Sequence, residues 1–152
     1  MEKILRIITI IVVVVLLTNI VVGLISGLNE SERISPSDTI TEGQIRVYDD
    51  RVVIYMDNPY LAEYTNSNSM DPVLDEGANG LLIIPKEEDL NLGDIVSYQS
   101  EHNENLIVHR IVEIGNDDLG TFYRMKGDNN SSVDFEKVRF EQIKYKTLGI
   151  IY

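Results

Sequence analysis

Three residue types in this 152-residue chain are those that together cleave an amide bond. Ser69, in the sequence Ser-Met-Asp-Pro, is a candidate nucleophile, because a serine hydroxyl attacks a carbonyl once a nearby base removes its proton. A histidine base also needs a carboxylate that orients its ring. The chain has two histidines and no cysteine, which excludes thiol catalysis, disulfide bonds and cysteine-ligated metal sites. The sequence therefore contains the residue types of a Ser-His-Asp site.

The two histidines lie in different surroundings. His102 lies in the polar sequence Glu-His-Asn-Glu-Asn, which is typical of a solvated hairpin tip. His109 lies in the apolar run 106–112, and strand alternation places it on the same face as Ile107 and Ile111, while the following arginine points the other way. An interior strand histidine is often a structural residue. We therefore interpret His109 as the candidate base only in combination with a serine nucleophile.

Two aspartates are candidates for the carboxylate that orients the base. Asp128 lies in the sequence Gly-Asp-Asn-Asn, a turn in which the aspartate can accept hydrogen bonds from nearby backbone amides. Asp134 follows it by six residues. Sequence separation does not choose between them, because these spacings have no meaning without the fold.

A long apolar run precedes these residues. Residues 7–28 carry no charge, and at about 1.5 Å per residue they give roughly 33 Å of helix, close to the hydrocarbon thickness of a bilayer. A cleaved signal peptide has a shorter apolar core and a small-x-small site, so we predict an uncleaved transmembrane anchor. Lys3 and Arg6 precede the run, and the positive-inside rule then predicts that residues 1–6 are cytoplasmic and the remainder lies outside.

Beyond the anchor the sequence predicts a linker and one β domain. Residues 29–43 are rich in Ser, Thr, Glu and Asp and form the predicted linker, and residues 44–152 form the predicted extracytoplasmic domain. Predicted strands cover residues 44–48, 51–56, 81–84, 94–98, 106–114, 121–126 and 143–151, with short helical turns at 87–92 and 135–140. The predicted fold class is a single, mainly antiparallel β domain on one N-terminal transmembrane helix.

The charge of the chain limits its partners. The formal net charge is −12, and the residues up to 28, with Glu2, Lys3 and Arg6, carry +1, which leaves −13 for the remainder. Such a surface argues against a nucleic-acid partner and against docking on anionic lipid, and solubility explains it most simply. No metal or cofactor is expected, because two histidines on separate segments make a poor zinc site.

Four segments behind the anchor resemble, in order, the sequence boxes of type I signal peptidases of the archaeal and endoplasmic-reticulum type. Ser67–Pro72 resembles the serine box and Leu92–Tyr98 resembles the Gly-Asp-Ile-Val strand. Val108–Val112 resembles the general-base box, and Lys126–Asp134 resembles the last box. The bacterial type has Lys-Arg where this chain has His109 followed by an arginine. The resemblance therefore implies a Ser-His-Asp signal peptidase with the β fold of that family.

The resemblance also implies roles for individual residues. Ser69 is the implied nucleophile, His109 the general base and Asp134 the residue behind the base, with Asp128 as a supporting residue or alternative acid. Ser67 matches a hydroxyl that contributes to the oxyanion hole in bacterial relatives, although a plain turn serine is an equal alternative.

The resemblance implies substrates as well. The implied substrates are signal peptides of secretory preproteins, held in the same lipid bilayer as the enzyme and cleaved at the outer face of the cell membrane. Residues 51–56 are a candidate edge to which an extended substrate could add as a strand. Neither the residues nor the resemblance identifies partner subunits.

Some features depart from the family, and two alternatives follow. The family often has a Gly-Asp pair after the proline of the serine box, whereas here Gly77 precedes Ala-Asn. A self-cleaving repressor or phage-type peptidase would use Ser-Lys in the cytosol, which the anchor and His109 argue against. A non-catalytic, membrane-anchored β module, such as a degenerate paralogue, is the second alternative. The presence of Ser69, His109 and Asp134 together argues against it.

Overall fold

The computed structural model of the chain describes residues 2–28 and 34–152, except the side chains of residues 23–28. The helix α1, Glu2–Leu28, and the β domain that begins at Ile34 belong to two separate compact units. Of the predicted linker, residues 29–33 lie outside the described residues.

Helix α1 is long and apolar enough to cross a membrane. Its part Glu2–Val22 has a mean hydropathy of 2.8, and none of it is buried by other parts of the chain. Three polar side chains within Glu2–Val22 bond to helix carbonyls: the Thr9 hydroxyl donates to the Leu5 carbonyl at 3.0 Å, and the Thr18 hydroxyl and the Asn19 amide both donate to the Val15 carbonyl, at 2.9 and 2.7 Å. Such internal bonding satisfies polar groups where no water is available.

Eight strands form two antiparallel sheets within residues 34–152. Strands β1 and β2 pair as a hairpin, and the other strands form one sheet in the order β3-β4-β8-β5-β6-β7. The strands are β1 (Ile45–Val47), β2 (Val52–Ile54), β3 (Tyr60–Glu63), β4 (Asn79–Ile83), β5 (Ile95–Gln99), β6 (Leu106–Asp117), β7 (Gly120–Lys126) and β8 (Ile143–Ile151). This confirms the predicted mainly β fold on an N-terminal apolar helix.

The core lies on both faces of the six-stranded sheet. Alternate residues of β5 divide between two clusters: Ile95 packs in one with Met70 and Leu74, while Val96 and Tyr98 pack in the other with side chains from β6, β7 and β8. The site elements are therefore held from both sides of the sheet.

Two local predictions differ from the structure. Strand β3 was not predicted, because it follows Asn-Pro and has exposed residues at three of its four positions. The helical turn predicted at 135–140 is wrong. Val138 exchanges two backbone hydrogen bonds of 2.8 and 2.9 Å with Tyr123 on β7, which extends the sheet locally, and a short 3₁₀ helix begins only at Phe140. The turn predicted at 87–92 contains a 3₁₀ helix at Glu87–Asp89.

A buried ion pair attaches the first described residues of the β unit to the sheet. Lys146 on β8 is 1% exposed and lies 2.8 Å from a carboxylate oxygen of Asp94, which is fully buried. Ser37 donates to the other Asp94 oxygen through its backbone N–H and its hydroxyl, each at 2.8 Å. Buried charges need such partners. Residues 34–43 of the predicted linker therefore belong to the same compact unit as the sheet, while the predicted segment boundaries stay predictions.

Candidate active site

Ser69 lies at the start of a tight turn between β3 and β4. Asn68 before it has φ of 56°, a left-handed conformation that asparagine tolerates better than most residues. The Met70 carbonyl accepts hydrogen bonds from the N–H groups of Val73 and Leu74 at 2.9 and 3.0 Å. The Met70 side chain is only 3% exposed and packs in the core. The turn is thus anchored by the methionine and presents the serine beside it.

The loop after β7 supports this turn. The Asn129 N–H donates to the Ser69 carbonyl at 3.0 Å, and its side-chain amide donates to the Asn68 carbonyl at 2.9 Å. A Cβ at Gly127 would lie 2.5 Å from the Ser69 carbonyl oxygen, so only glycine fits there. The β6–β7 register pairs Arg110 with Lys126. Antiparallel pairing then places Gly127 opposite His109, so the serine turn contacts the chain where β7 ends next to β6.

His109 is hydrogen-bonded to Asp134. The distance between His109 Nδ1 and Asp134 Oδ2 is 2.6 Å, and the Tyr98 hydroxyl donates to the same oxygen at 3.0 Å. The aspartate backbone is fixed by its N–H to the Met125 carbonyl at 2.8 Å and by Arg124 Nε to its carbonyl at 3.1 Å. Because Nδ1 faces the carboxylate, Nε2 is the ring nitrogen left to exchange a proton.

Asp128 has a different partner. Arg110 donates to it in a bidentate manner, from Nε at 2.7 Å and from Nη2 at 2.6 Å, and donates from Nη1 to the Gly93 carbonyl at 2.7 Å. Strand alternation points Arg110 away from the face that carries His109. The structure thus brings Asp134 to His109 and leaves Asp128 to hold Arg110.

Ser67 lies close to Ser69 but the serines are not hydrogen-bonded to the histidine. The hydroxyl oxygens of Ser67 and Ser69 are 3.1 Å apart. Among the described residues, no hydrogen bond joins Ser69 to His109, and the Ser69 N–H has no acceptor. The structure therefore brings the five predicted residues together as three pairs: Ser67 with Ser69, His109 with Asp134, and Asp128 with an arginine outside the predicted set.

A cleft of about 740 Å³ lies beside the serine turn. Ser67 and Ser69 line it, together with the edge strand β3 and parts of β4, β5, β6 and β8. Residues 51–56 do not line it, because β2 pairs with β1 in the separate hairpin sheet. The candidate substrate edge at 51–56 stays a prediction, and strand β3 forms a wall of the cleft.

His102 does not line the cleft, whereas Tyr98, which was not singled out from the sequence, contacts Asp134 of the site. His102 lies exposed on the β5–β6 hairpin, where its ring contacts that of Phe135 with centroids 5.1 Å apart. Within residues 2–28 and 34–152 no cluster of three metal-binding side chains is present. Tyr98 was not recognised from the sequence, although a tyrosine at an inward strand position needs a polar partner for its hydroxyl. Burial, and then the charge of Asp134, raise the pKa of Tyr98 above its ordinary value.

Comparison with known proteins gives one distant relative. The chain is 30% identical over 94 residues to signal peptidase I W of Bacillus subtilis, a match that covers 59% of this chain and 47% of that protein. The chain thus spans about half the length of the curated relative that it matches. No protein-family model and no solved structure matches it. Together with the apolar helix α1, this similarity supports a membrane-anchored protein related to type I signal peptidases in general.

Proposed function

We propose that this chain is a membrane-anchored serine endopeptidase that removes signal peptides from secreted preproteins at the outer membrane face. The observation that carries the proposal is the 2.6 Å hydrogen bond between His109 Nδ1 and Asp134 Oδ2. The similarity to signal peptidase I W agrees with it. Substrate class, membrane face and residue roles are all part of the proposal.

In the proposed reaction Ser69 Oγ attacks the scissile carbonyl and His109 Nε2 takes the serine proton. The imidazolium that forms is stabilised by Asp134, which also keeps the proton on Nδ1 before the attack. His109 then protonates the leaving amine, and water releases the acyl group from Ser69 by the same steps in reverse order. Hydrogen bonds of catalytic groups are often long or absent without substrate. We therefore expect substrate to draw Ser69 Oγ from Ser67 to His109.

Two donors are available for the oxyanion in this proposal. The Ser69 N–H makes no hydrogen bond within the described part of the chain, and the Ser67 hydroxyl lies 3.1 Å from Ser69 Oγ. Donors aimed at the developing negative charge lower the barrier because they need not reorganise during the reaction. Ser67 is thus the proposed side-chain donor and Ser69 the backbone donor.

The cleft fits an extended peptide substrate. Strand β3 is at the edge of the six-stranded sheet, and its residues form one wall of the cleft that contains Ser69. An extended chain could pair with this edge and direct alternate side chains into the cleft. The anchor α1 would hold the enzyme in the membrane that holds the signal peptide, which raises their effective concentration.

The histidine favours the archaeal and endoplasmic-reticulum type over the bacterial type. A lysine base must lose most of its charge by burial before it can accept a proton at neutral pH. Histidine has a reference pKa of about 6.5 and needs little perturbation. His109 already has the carboxylate that such a base requires, so we place the chain in the Ser-His-Asp type.

Cleavage of a preprotein by the full chain in detergent tests the proposal. We expect Ser69→Ala and His109→Ala to abolish product formation. Ser131→Ala and His102→Ala are matched controls, because both residues are exposed, and these variants should cleave as the wild type does. A wild type that cleaves no preprotein, or a Ser69→Ala variant that cleaves normally, would overturn the proposal.

The second candidate is a non-catalytic, membrane-anchored β module. It is favoured by one observation: Ser69 Oγ is hydrogen-bonded to Ser67 rather than to the histidine. A serine-reactive fluorophosphonate separates the two candidates without requiring the correct preprotein. Labelling of Ser69 that is lost in His109→Ala indicates an activated nucleophile, whereas the β module predicts no labelling in either protein.

A further inference from the structure

One carboxylate oxygen at the candidate site accepts two hydrogen bonds. Asp134 Oδ2 lies 2.6 Å from His109 Nδ1 and 3.0 Å from the Tyr98 hydroxyl oxygen. Tyr98 is on β5, next to the strand that carries His109, and is paired with Ile107 of that strand. It is only 1% exposed, so its hydroxyl is held in place by the surrounding core.

Within the described residues, the Asp134 carboxylate accepts no hydrogen bond besides these two. Asp134 lies in an irregular segment between β7 and β8, and the bonds from its N–H to Met125 and from Arg124 to its carbonyl fix only its backbone. The torsion that turns a carboxylate has broad minima. Within the described residues, the Tyr98 hydroxyl and His109 Nδ1 are the hydrogen-bond partners of the carboxylate. Of these two partners the tyrosine is the one that keeps the same protonation state, because the histidine gains and loses a proton during the proposed reaction.

The tyrosine hydroxyl is a dependable donor. Burial and the charge of Asp134 both raise the pKa of Tyr98, so the phenol keeps its proton at neutral and moderately alkaline pH. A phenol donor that shares an oxygen with the imidazole also spreads the negative charge of the carboxylate over both partners. Both effects favour the carboxylate orientation in which Oδ2 accepts from the tyrosine hydroxyl.

We infer that Tyr98 is a positioning residue, whose hydroxyl orients the Asp134 carboxylate toward His109 Nδ1 and thereby fixes the tautomer that leaves Nε2 free. The inference rests on the proposed function for its kinetic consequence but not for its structural one. A tyrosine that only fills the core would also have a bonded hydroxyl. The two roles differ in what happens to the histidine when the hydroxyl alone is removed.

Tyr98→Phe removes that hydroxyl and leaves the ring in the core. The matched control is Tyr123→Phe, since Tyr123 is 2% exposed in the same core cluster and its hydroxyl donates no hydrogen bond within the part of the chain that the structure describes. We expect Tyr98→Phe to lower kcat about tenfold, as for one lost buried hydrogen bond, with KM unchanged. Tyr123→Phe should change neither.

A spectroscopic measurement is independent of cleavage. The chain has two histidines, so ¹⁵N NMR of histidine-labelled protein in detergent micelles gives few signals, and His102 is an internal reference. We expect His109 to be the Nδ1–H tautomer in the wild type and in Tyr123→Phe, and a mixture of tautomers in Tyr98→Phe.

The outcomes separate the two proposals. If the wild type cleaves no preprotein, the proposed function fails, and the His109 spectrum alone decides the role of Tyr98. An unchanged His109 spectrum in Tyr98→Phe overturns the positioning role, as does an equal loss of kcat in both tyrosine variants. Circular dichroism of each variant identifies a folding defect. In that case Tyr98→Met and Tyr123→Met are compared by the same spectra, because methionine adapts to an irregular core and has no donor, and an unchanged His109 tautomer overturns the role.

Discussion

His109 and Arg110 are neighbours on β6, and each is bonded to an aspartate, yet the two pairs are built differently. Arg110 and Asp128 are joined by two hydrogen bonds, and the remaining Nη1 donor is used by a backbone carbonyl. His109 is joined to Asp134 by one hydrogen bond, and its second ring nitrogen has no hydrogen-bond partner within the part of the chain that the structure describes. The arginine pair is closed and holds two segments together, whereas the histidine pair is open at one nitrogen and is suited to move a proton.

The largest effect is expected from a substitution that disrupts the pair of His109 and Asp134. We predict that Asp134→Asn lowers kcat by about 10⁴, because an amide that donates toward Nδ1 selects the wrong histidine tautomer. Preprotein cleavage under single-turnover conditions measures this effect. The thermal midpoint should change little, since the amide keeps the shape of the carboxylate. A loss of less than tenfold would mean that this pair is as structural as the arginine pair.

The next effect concerns the serine side of the site. Ser67→Ala should lower kcat by about 10²–10³ if its hydroxyl stabilises the oxyanion, and KM should stay the same. Ser131→Ala is the control in the same assay. An unchanged kcat in Ser67→Ala would show that the 3.1 Å contact between the Ser67 and Ser69 hydroxyls only stabilises the turn and does not contribute to catalysis.

The arginine pair should respond in stability rather than in rate. Asp128→Asn removes a charge from a bidentate pair whose side chains are 14% and 16% exposed. We expect it to lower the free energy of unfolding by about 2 kcal/mol, the range for hydrogen bonds to charged groups. Urea denaturation of the wild type and the variant measures the difference. Cleavage by the folded variant should fall less than tenfold, and a larger loss would bring Asp128 into the proposed reaction.

The smallest effect concerns Asp117, which forms ion pairs with Lys137 and Arg139 at the far end of β6. Hydrogen bonds from Lys137 and Arg139 lower the pKa of Asp117 from 3.8 to about 2. Because the folded-state pKa is the lower one, the pair stabilises the fold above about pH 4, and this stability is lost as the pH falls toward 2.

Thermal midpoints between pH 5 and pH 2 test this small effect. The midpoint of Asp117→Asn should fall less steeply with decreasing pH than that of the wild type. Parallel curves would contradict the role of this pair in acid stability. Asp117 thus completes the comparison, since its ion pairs should affect the stability of the fold and its pH dependence but not the rate of cleavage.

The sequence predicted the opposite faces of His109 and Arg110, because strand alternation depends only on local geometry. It could not choose between Asp128 and Asp134. That choice depends on how the segment after β7 turns back along the sheet edge, where Val138 pairs with Tyr123, and no short-range pattern encodes such a path.

Neither the burial of Lys146 nor the edge strand β3 could be predicted from the sequence. A lysine on a strand is normally exposed, and only the packing of Asp94 and Ser37 against it explains its burial. Strand β3 has a weak pattern because one face of an edge strand meets the cleft rather than the core.

The central position of β8 has a consequence for the order of synthesis. The ribosome makes β3 to β7 first, yet β4 and β5 are not neighbours in the sheet, and both pair with β8. Until residues 143–151 have been made, the strands β3 and β4 are not joined to the strands β5, β6 and β7, because β8 lies between the two groups in the sheet. The cleft takes walls from both groups and from Tyr145 of β8. A partly translated chain therefore has no cleft, and the proposed protease cannot act on the nascent chains around it before its own β8 has been made.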